Sequence, residues 1–424
     1  MIDRDLNIFD SVCTGCSACT EACLFSDKNG IKPIQLIINN KGLKVPRINS
    51  TTCKQCMMCY KACPVENKIF NSDVTFETYK EKIGNCYFGY SLDAEHRFSA
   101  ATAGIATEIA AYLLDTHQVD GVISSYQNDT NQIITEIFSC SQEVRKTRGS
   151  IYRQVSLFNG LVEKIAAGNH KKLLLIGLPC HIAGLKSLQE INALLKEIDF
   201  TTIALFCKQT KTEEFSNVEC SMLGVKPNTK LNYRGNGWPG VTKGEGGRCL
   251  SFINIRFSLM WGSFAFTPNY CFTCSDPLGV EADISIGDAW LKKYYGDKTG
   301  SSLFTANSEK GKSIIEEMAQ KCKIYKEDEN VDNICASQSK NYIKFKTTCV
   351  NERVSYWGRH LTQCNVSVKY FILLRFLIFN KKVMEFMYEK NIIRYTPEIL
   401  LKVYGKMSSF VVTKIIAFVT LSYK

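Results

Sequence analysis

The chain has 424 residues, of which 45% are hydrophobic and 22% charged, with a net charge of +11 and twenty cysteines. That length suggests two to four domains with ample room for a buried core. No stretch reaches the roughly 18 uninterrupted apolar residues of a membrane span, and no nucleic-acid recognition module accompanies the positive charge, so nucleic acid is not an expected partner.

The first element is a doubled cysteine pattern. Cys13, Cys16, Cys19 and Cys23 are spaced x2, x2, x3, and Cys53, Cys56, Cys59 and Cys63 repeat that spacing, with Pro64 after the last. In the two-cluster bacterial ferredoxin pattern each run holds one 4Fe–4S cluster and lends its fourth Cys to the other. The expected wiring is Cys13, Cys16, Cys19 and Cys63 on one cluster, and Cys53, Cys56, Cys59 and Cys23 on the second. Structural zinc favours paired Cys-x-x-Cys units or Cys/His pairs instead. The chain starts MIDRDLNIFD without a secretory signal pattern, so a disulfide framework is not expected and a reduced, cytoplasmic setting is. The insert IQLIINNKGLKVPRINSTT reads as a short hairpin between the cluster loops.

Asn67 to Glu95 reads as a linker. SAATAGIATEIAAYLLD is then a small-residue turn entering a helix, with Ile105, Ile109, Tyr112 and Leu113 on one face. DGVISSY and ITEIFSC read as strands, LFNGLVEKIAAG as a helix ending at Gly168, and KKLLLIGLPC as a buried parallel strand. A helix, GLKSLQEINALLKE, and a second buried strand, TTIALFC, follow. Strands alternating with helices predict an α/β core. Cys180 and Cys207 each follow such a strand, where open α/β sheets collect ligands. With Cys271 and Cys274 in PNYCFTCSDP they could hold a third 4Fe–4S cluster. Singly, each is more often a buried small hydrophobe, and the Cys-x-x-Cys pair could be half a zinc site or a redox dithiol. Cys86, Cys140, Cys220, Cys249, Cys322, Cys335, Cys349 and Cys364 lack ligand spacing and are expected to pack.

GNGWPG, from Gly235 to Gly240, satisfies G-x-G-x-x-G, but Pro239 and the following VTKGEGGRCLSFINI open no helix, so a Rossmann site is rejected. The loop could instead let backbone approach a flat ligand. Of five histidines, His181 is the one placed to donate a proton near a strand-end site; a packing histidine is the plainer alternative. The last sixty residues carry ten Lys/Arg against three Glu and read as two helices, with Pro397 starting the second. They suit either a helical cap or peripheral contact with the inner face of an anionic membrane.

Taken together, the doubled cluster runs, R-x-x-S…TAG, GLPCH, LFC, YRGNGWPG, C-x-x-C and ADISIGDAW resemble the coenzyme F(420) hydrogenase/dehydrogenase beta-subunit family over roughly residues 1 to 340. The resemblance implies FAD in an α/β flavin-binding catalytic core, an organic hydride donor or acceptor, and ferredoxin or another redox partner. It implies cofactor contacts at Arg97, Ser99, Thr102 and Gly104, at Gly149, Ser150 and Tyr152, and at Asp288. Arg234, Gly235 and Trp238 join them as candidates from the YRGNGWPG loop. It also matches Cys180, Cys207, Cys271 and Cys274 to the family's cysteines. Ala103, Ile151, His181 and Lys208 depart from the family pattern on the flavin and substrate side.

The expected architecture is a multidomain α+β and α/β protein. It comprises a ferredoxin-like domain over 1–75, the two parts of a flavin oxidoreductase core over 76–172 and 173–345, and a basic amphipathic helical tail over 346–424. The expected function is iron–sulfur flavoprotein oxidoreduction of a small organic substrate. Related bacterial proteins associated with surface-polysaccharide biosynthesis suggest a sugar-linked one. The alternative is an electron-transfer subunit without its own substrate.

Overall fold

A computed structural model describes residues 12–26, 30–40, 42–67, 75–348 and 368–420. His360, Cys349 and Cys364 lie outside the described residues.

The N-terminal module is built on an internal repeat of backbone geometry as well as of cysteines. Ser17 and Met57 both take left-handed conformations and open the short helices Ala18–Glu21 and Met58–Lys61. Between them, strands β1 (Ile34–Ile38) and β2 (Lys44–Ile48) form the expected antiparallel hairpin, with Ile34 opposite Ile48.

The core is one eight-stranded mixed sheet. Its strands are β3 (Asn85–Ser91), β4 (Gly121–Gln127), β5 (Ile133–Phe138), β6 (Lys172–Gly177), β7 (Asp199–Leu205), β11 (Ile284–Asp288), β12 (Ser302–Ala306) and β13 (Ile324–Asp328). They run in the order β13-β3-β12-β11-β7-β6-β4-β5. The central β4, β6, β7 and β11 are parallel, and antiparallel strands close both sides. Strands from both sides of residue 172 interleave, so the two parts share one sheet.

Leu173, Leu174 and Leu175 of β6 are fully buried, alternating between the two faces. Burial of each is worth about 1.5–3 kcal/mol relative to exposure. One face packs on the helix Ile105–Asp115 through Ile105, Ile109, Tyr112 and Leu113. The other packs on the helix Pro179–Ile191, whose Ile182 and Leu185 share a cluster with Cys16, Ala18, Ala22 and Ala62 of the N-terminal module. A three-stranded sheet of β8 (Leu231–Asn232), β9 (Val241–Gly244) and β10 (Leu250–Ser251) stands apart.

Three expectations need correction. The linker expected over 67–95 contains the helix Phe76–Glu81 and β3, an interior strand of the sheet. Its aromatic residues Tyr87, Phe88 and Tyr90 suit a pleated surface. The helix expected from Gly184 begins at Pro179, whose fixed φ and missing N–H fit a first turn. Cys140, Cys249 and Cys322 are exposed and do not pack, whereas Cys86, Cys220 and Cys335 are buried.

The tail forms two long helices, Val368–Glu389 and Glu398–Thr420. Leu373, Leu374, Leu377 and Ile416 join a cluster with Phe264, Phe272, Tyr342 and Phe345, while Met384, Tyr388, Ile393 and Leu401 join another around Phe257 and Met260. No helix among the described residues is long and apolar enough to cross a membrane.

Candidate functional site

The cysteine loops are shaped to hold metal before any metal is considered. Gly15 and Gln55 occupy equivalent left-handed positions, and their amides donate to Cys13 Sγ at 3.3 Å and Cys53 Sγ at 3.4 Å. Such amides favour a negatively charged sulfur. Cys13, Cys16, Cys19, Cys59 and Cys63 line one small cavity beneath the hairpin, together with Ile34, Leu36, Pro46 and Val65. Burial raises the Cys19 thiol well above its ordinary value, and neighbouring Cys13, Cys16, Cys63 and Cys59 raise it further. Burial likewise pushes Cys59 up to about 11, with Cys53, Cys56 and Cys23 adding to it. Cys63 therefore lies near the first run and Cys23 near Cys59 of the second, the proximity that the expected wiring requires. The second group lies nearer the surface, with Cys56 exposed and Cys16 buried.

The parallel strands then gather a further set. Cys180 sits in the first turn of the helix after β6, and Cys207 lies two residues beyond β7, its amide donating to Pro277 O at 2.9 Å. Cys271 belongs to the short helix Tyr270–Thr273 and accepts from the Thr210 amide at 3.3 Å; Cys274 caps that helix. Burial raises the Cys180 thiol, and Cys207, Cys274, Cys16 and Cys271 reinforce the effect. Cys207 is pushed up to about 12 and Cys271 to about 11, burial leading in both.

Thiols packed this way repel one another as thiolates, a cost that a cationic iron core removes. Among the described residues no three His, Cys, Asp or Glu converge on a point suited to a single ion. Cysteines that each hold a different iron of one cube need no such point. The set adjoins the first ferredoxin loop: Cys63, Cys180 and Cys274 pack on a cluster of Val12, Val65, Ala183, Tyr270 and Cys271.

Cys207 also lines a cleft of about 1210 Å³ at the carboxyl ends of β4, β6, β7 and β11. This is where an open parallel sheet places its ligand. Thr102 and Gly104 line it at the start of the helix Ile105–Asp115, and Gly149, Ser150 and Tyr152 line it from the loop before the helix Leu161–Gly168. Arg234 and Asp288 meet in a bidentate pair at 2.7 Å on both branches, and Trp238 Nε1 donates to Asp288 at 3.1 Å. Burial opposes the Asp288 charge, but Arg234 and Trp238 hold its carboxyl below the usual range.

Several expected site residues turn elsewhere. Arg97 donates to Gly300 O at 2.8 Å and Asp297 at 2.6 Å and stacks on Tyr90, 3.4 Å from the ring centre. Ser99 Oγ donates to His96 O. Neither lies in the cleft wall, nor do Gly235 and Trp238. At Gly235 a Cβ would stand 3.0 Å from Ser99 O, so its close approach is to backbone rather than to a flat ligand. Arg234 does line the cleft, but Asp288 neutralises it.

His181 lines the cleft with both ring nitrogens committed. Nδ1 accepts from the Leu178 amide at 3.1 Å and Nε2 faces Val155 O at 3.3 Å. Burial pulls its pKa down to about 4, so the ring stays neutral and holds the turn around Cys180; it does not fit the expected proton donor.

Sequence reasoning missed two contributors. Lys346 is 1% exposed beside the later cysteine set, its Nζ 5.6 Å from the centre of the Tyr342 ring. The second tail helix lines the cleft through Lys402, Ser408, Ser409 and Lys414 among others. Neither carries a spacing signal, because each reaches the site only through helix packing.

Three family models match the chain in order. Residues 12–67 match a 4Fe-4S dicluster domain, 86–162 the N-terminal part of the coenzyme F420 hydrogenase/dehydrogenase beta subunit, and 170–331 its C terminus. An uncharacterized protein of Methanocaldococcus jannaschii is 27% identical over 69% of this chain and 85% of its own length. The coenzyme F420 hydrogenase subunit beta of Methanosarcina barkeri is 22% identical over 54% of this chain and 80% of its own. The coenzyme F420-dependent sulfite reductase of M. jannaschii is 26% identical over 74% of this chain but 47% of its own length. Among solved structures, a chain of the F420-reducing [NiFe] hydrogenase complex from M. barkeri shares the fold. Its TM-score is 0.53 at 18% identity, covering 65% of this chain and 94% of that one. With both halves of one family model laid along its sheet behind a dicluster domain, the chain belongs to the coenzyme F420 hydrogenase/dehydrogenase beta-subunit family and is an iron–sulfur protein related to oxidoreductase subunits.

Proposed function

We propose that the chain is an iron–sulfur flavoprotein oxidoreductase that moves electrons between two ferredoxin clusters, a third 4Fe–4S cluster and FAD, for hydride exchange with a small organic substrate. The observation that carries this reading is Cys207, which belongs both to the third cysteine set and to the cleft wall. Cys180, Cys207, Cys271 and Cys274 would hold the third cluster, next to Cys16 of the first. When bound, the clusters supply single-electron transfer and a flavin supplies the conversion to two-electron hydride chemistry.

The chain's own residues orient and shield. The first turn of the helix Ile105–Asp115, entered through Gly104, suits the cofactor's phosphates. Arg148 at the rim adds positive charge, and Gly149, Ser150 and Tyr152 form the adjacent wall. Hydroxyls of Ser124, Thr147 and Ser409 suit a polar substrate, including a sugar-linked one, and the relatives named for F420 add a deazaflavin as a candidate hydride partner. Ferredoxin or another redox partner would meet the chain at the exposed Cys56 side.

The second reading is an electron-transfer subunit without its own substrate, favoured by the relative named as a hydrogenase subunit. Anaerobic purification with iron, sulfide and flavin quantification separates the two. About twelve irons and one FAD per chain support the first. About eight irons without flavin would replace it with the second.

A further inference from the structure

We propose that the outer face of the tail helices is a docking surface for an anionic membrane, which holds the enzyme peripherally. More than half of the large apolar side chains left exposed among the described residues lie between 368 and 420. On the first helix Phe371, Arg375, Phe379, Lys382 and Phe386 recur at steps of three and four and all stand exposed, while Leu373, Leu377 and Met384 opposite them are buried. On the second, Ile399, Leu400, Val403 and Met407 stand exposed while Leu401 and Ile416 are buried, and Lys406, Phe410 and Lys414 belong to the cleft wall instead. Both helices are therefore apolar on two sides: one side is spent on the core and the other is not.

Charge decides the occupant. The Arg375 guanidinium lies 5.0 Å from the centre of the Phe371 ring, so the first helix stacks a cation on an outward aromatic. Glu385 and Glu398 are engaged by Lys381 and Lys402, which leaves Glu389 as the one exposed acid without a salt bridge on the described tail helices. On the outer face Arg375 and Lys382 form no salt bridge among the described residues. Aromatic and aliphatic side chains interleaved with unneutralised cations match an interface of anionic headgroups over acyl chains. A second copy of the chain would set these cations against their own kind. Neither helix can span the bilayer, so the contact is superficial.

The test is co-sedimentation of the full-length, anaerobically purified protein with phosphatidylglycerol or phosphatidylcholine vesicles. Binding to phosphatidylglycerol alone, released by about 0.5 M salt, is expected. The paired substitutions Phe379→Glu and Phe386→Glu should weaken it roughly tenfold or more while the iron–sulfur absorbance is unchanged. Absence of binding to phosphatidylglycerol, or equal binding to both lipids, overturns the proposal. So does a dimer in sedimentation velocity that the same substitutions dissolve, since the face would then be covered by a second copy.

Discussion

Lys346 illustrates how one side chain can set a property of a site it does not ligate. Cys274, Tyr342, Cys271 and Cys207 all act on its ammonium, in an environment closed to solvent. A fixed positive charge favours the more negative, reduced form of a cluster. Lys346→Met should therefore move the proposed third cluster to a more negative potential in an EPR-monitored redox titration, while Lys346→Arg should leave it near the wild-type value. An unchanged potential in both variants would reduce Lys346 to packing. The Arg234–Asp288 pair is a different case, because removing one partner leaves a buried charge. Asp288→Asn should cost about 3–5 kcal/mol at neutral pH by chemical denaturation. The sign with pH follows from the depressed carboxyl: its stabilisation is complete above the unfolded value near 3.9 and fades as pH falls through the folded one. The difference between wild type and Asp288→Asn should accordingly shrink in acid.

At the scale of elements, the N-terminal module is held by contacts made at its first cluster loop and at its hairpin. Gln154 accepts from the Lys44 amide at 2.7 Å and donates back to Lys44 O at 3.2 Å, and the Phe158 amide donates to Cys16 O at 3.0 Å. Glu21 accepts the Gly160 and Val162 amides at 3.1 Å, closing the start of the helix Leu161–Gly168. Gly15 is the tight point, with φ of 71° and space for a Cβ only 2.2 Å from Gln154 Nε2. Gly15→Ala should cost about 1–3 kcal/mol and lower iron content, and should cost less when added to Gln154→Ala than to wild type, because the steric part is then gone while the left-handed backbone cost remains. Equal stability of Gln154→Ala with and without Gly15→Ala would show that the backbone at Gly15 is unstrained. The tail obeys a similar logic: helix Glu398–Thr420 closes the cleft because Leu401 and Ile416 anchor it to two different core clusters.

Across the whole molecule, the three cysteine sets run from an exposed edge to the sheet. Cys56 is open to solvent, Cys16 is buried against the core, and Cys207 opens on the cleft. Timed air exposure followed by Mössbauer spectroscopy should therefore show the cluster expected on Cys53, Cys56, Cys59 and Cys23 degrading first. Equal loss of all clusters would remove the surface-to-core order.

The ferredoxin module was legible in the sequence because its ligands are local: three cysteines within seven residues fix a loop whatever surrounds it. The parallel strands were legible for a related reason, since short continuous apolar runs such as LLLI, bounded by turn residues, suit a strand buried on both faces. The family followed from motif order. Tertiary structure alone decided that Cys180, Cys207, Cys271 and Cys274 approach one another across nearly a hundred residues, and that Arg97 serves Asp297 while Arg234 serves Asp288. It alone placed β3 inside the sheet, Lys346 beside the cysteines, and the last helix over the cleft. Those outcomes rest on which surfaces meet when distant elements pack, and spacing along a chain carries no measure of that.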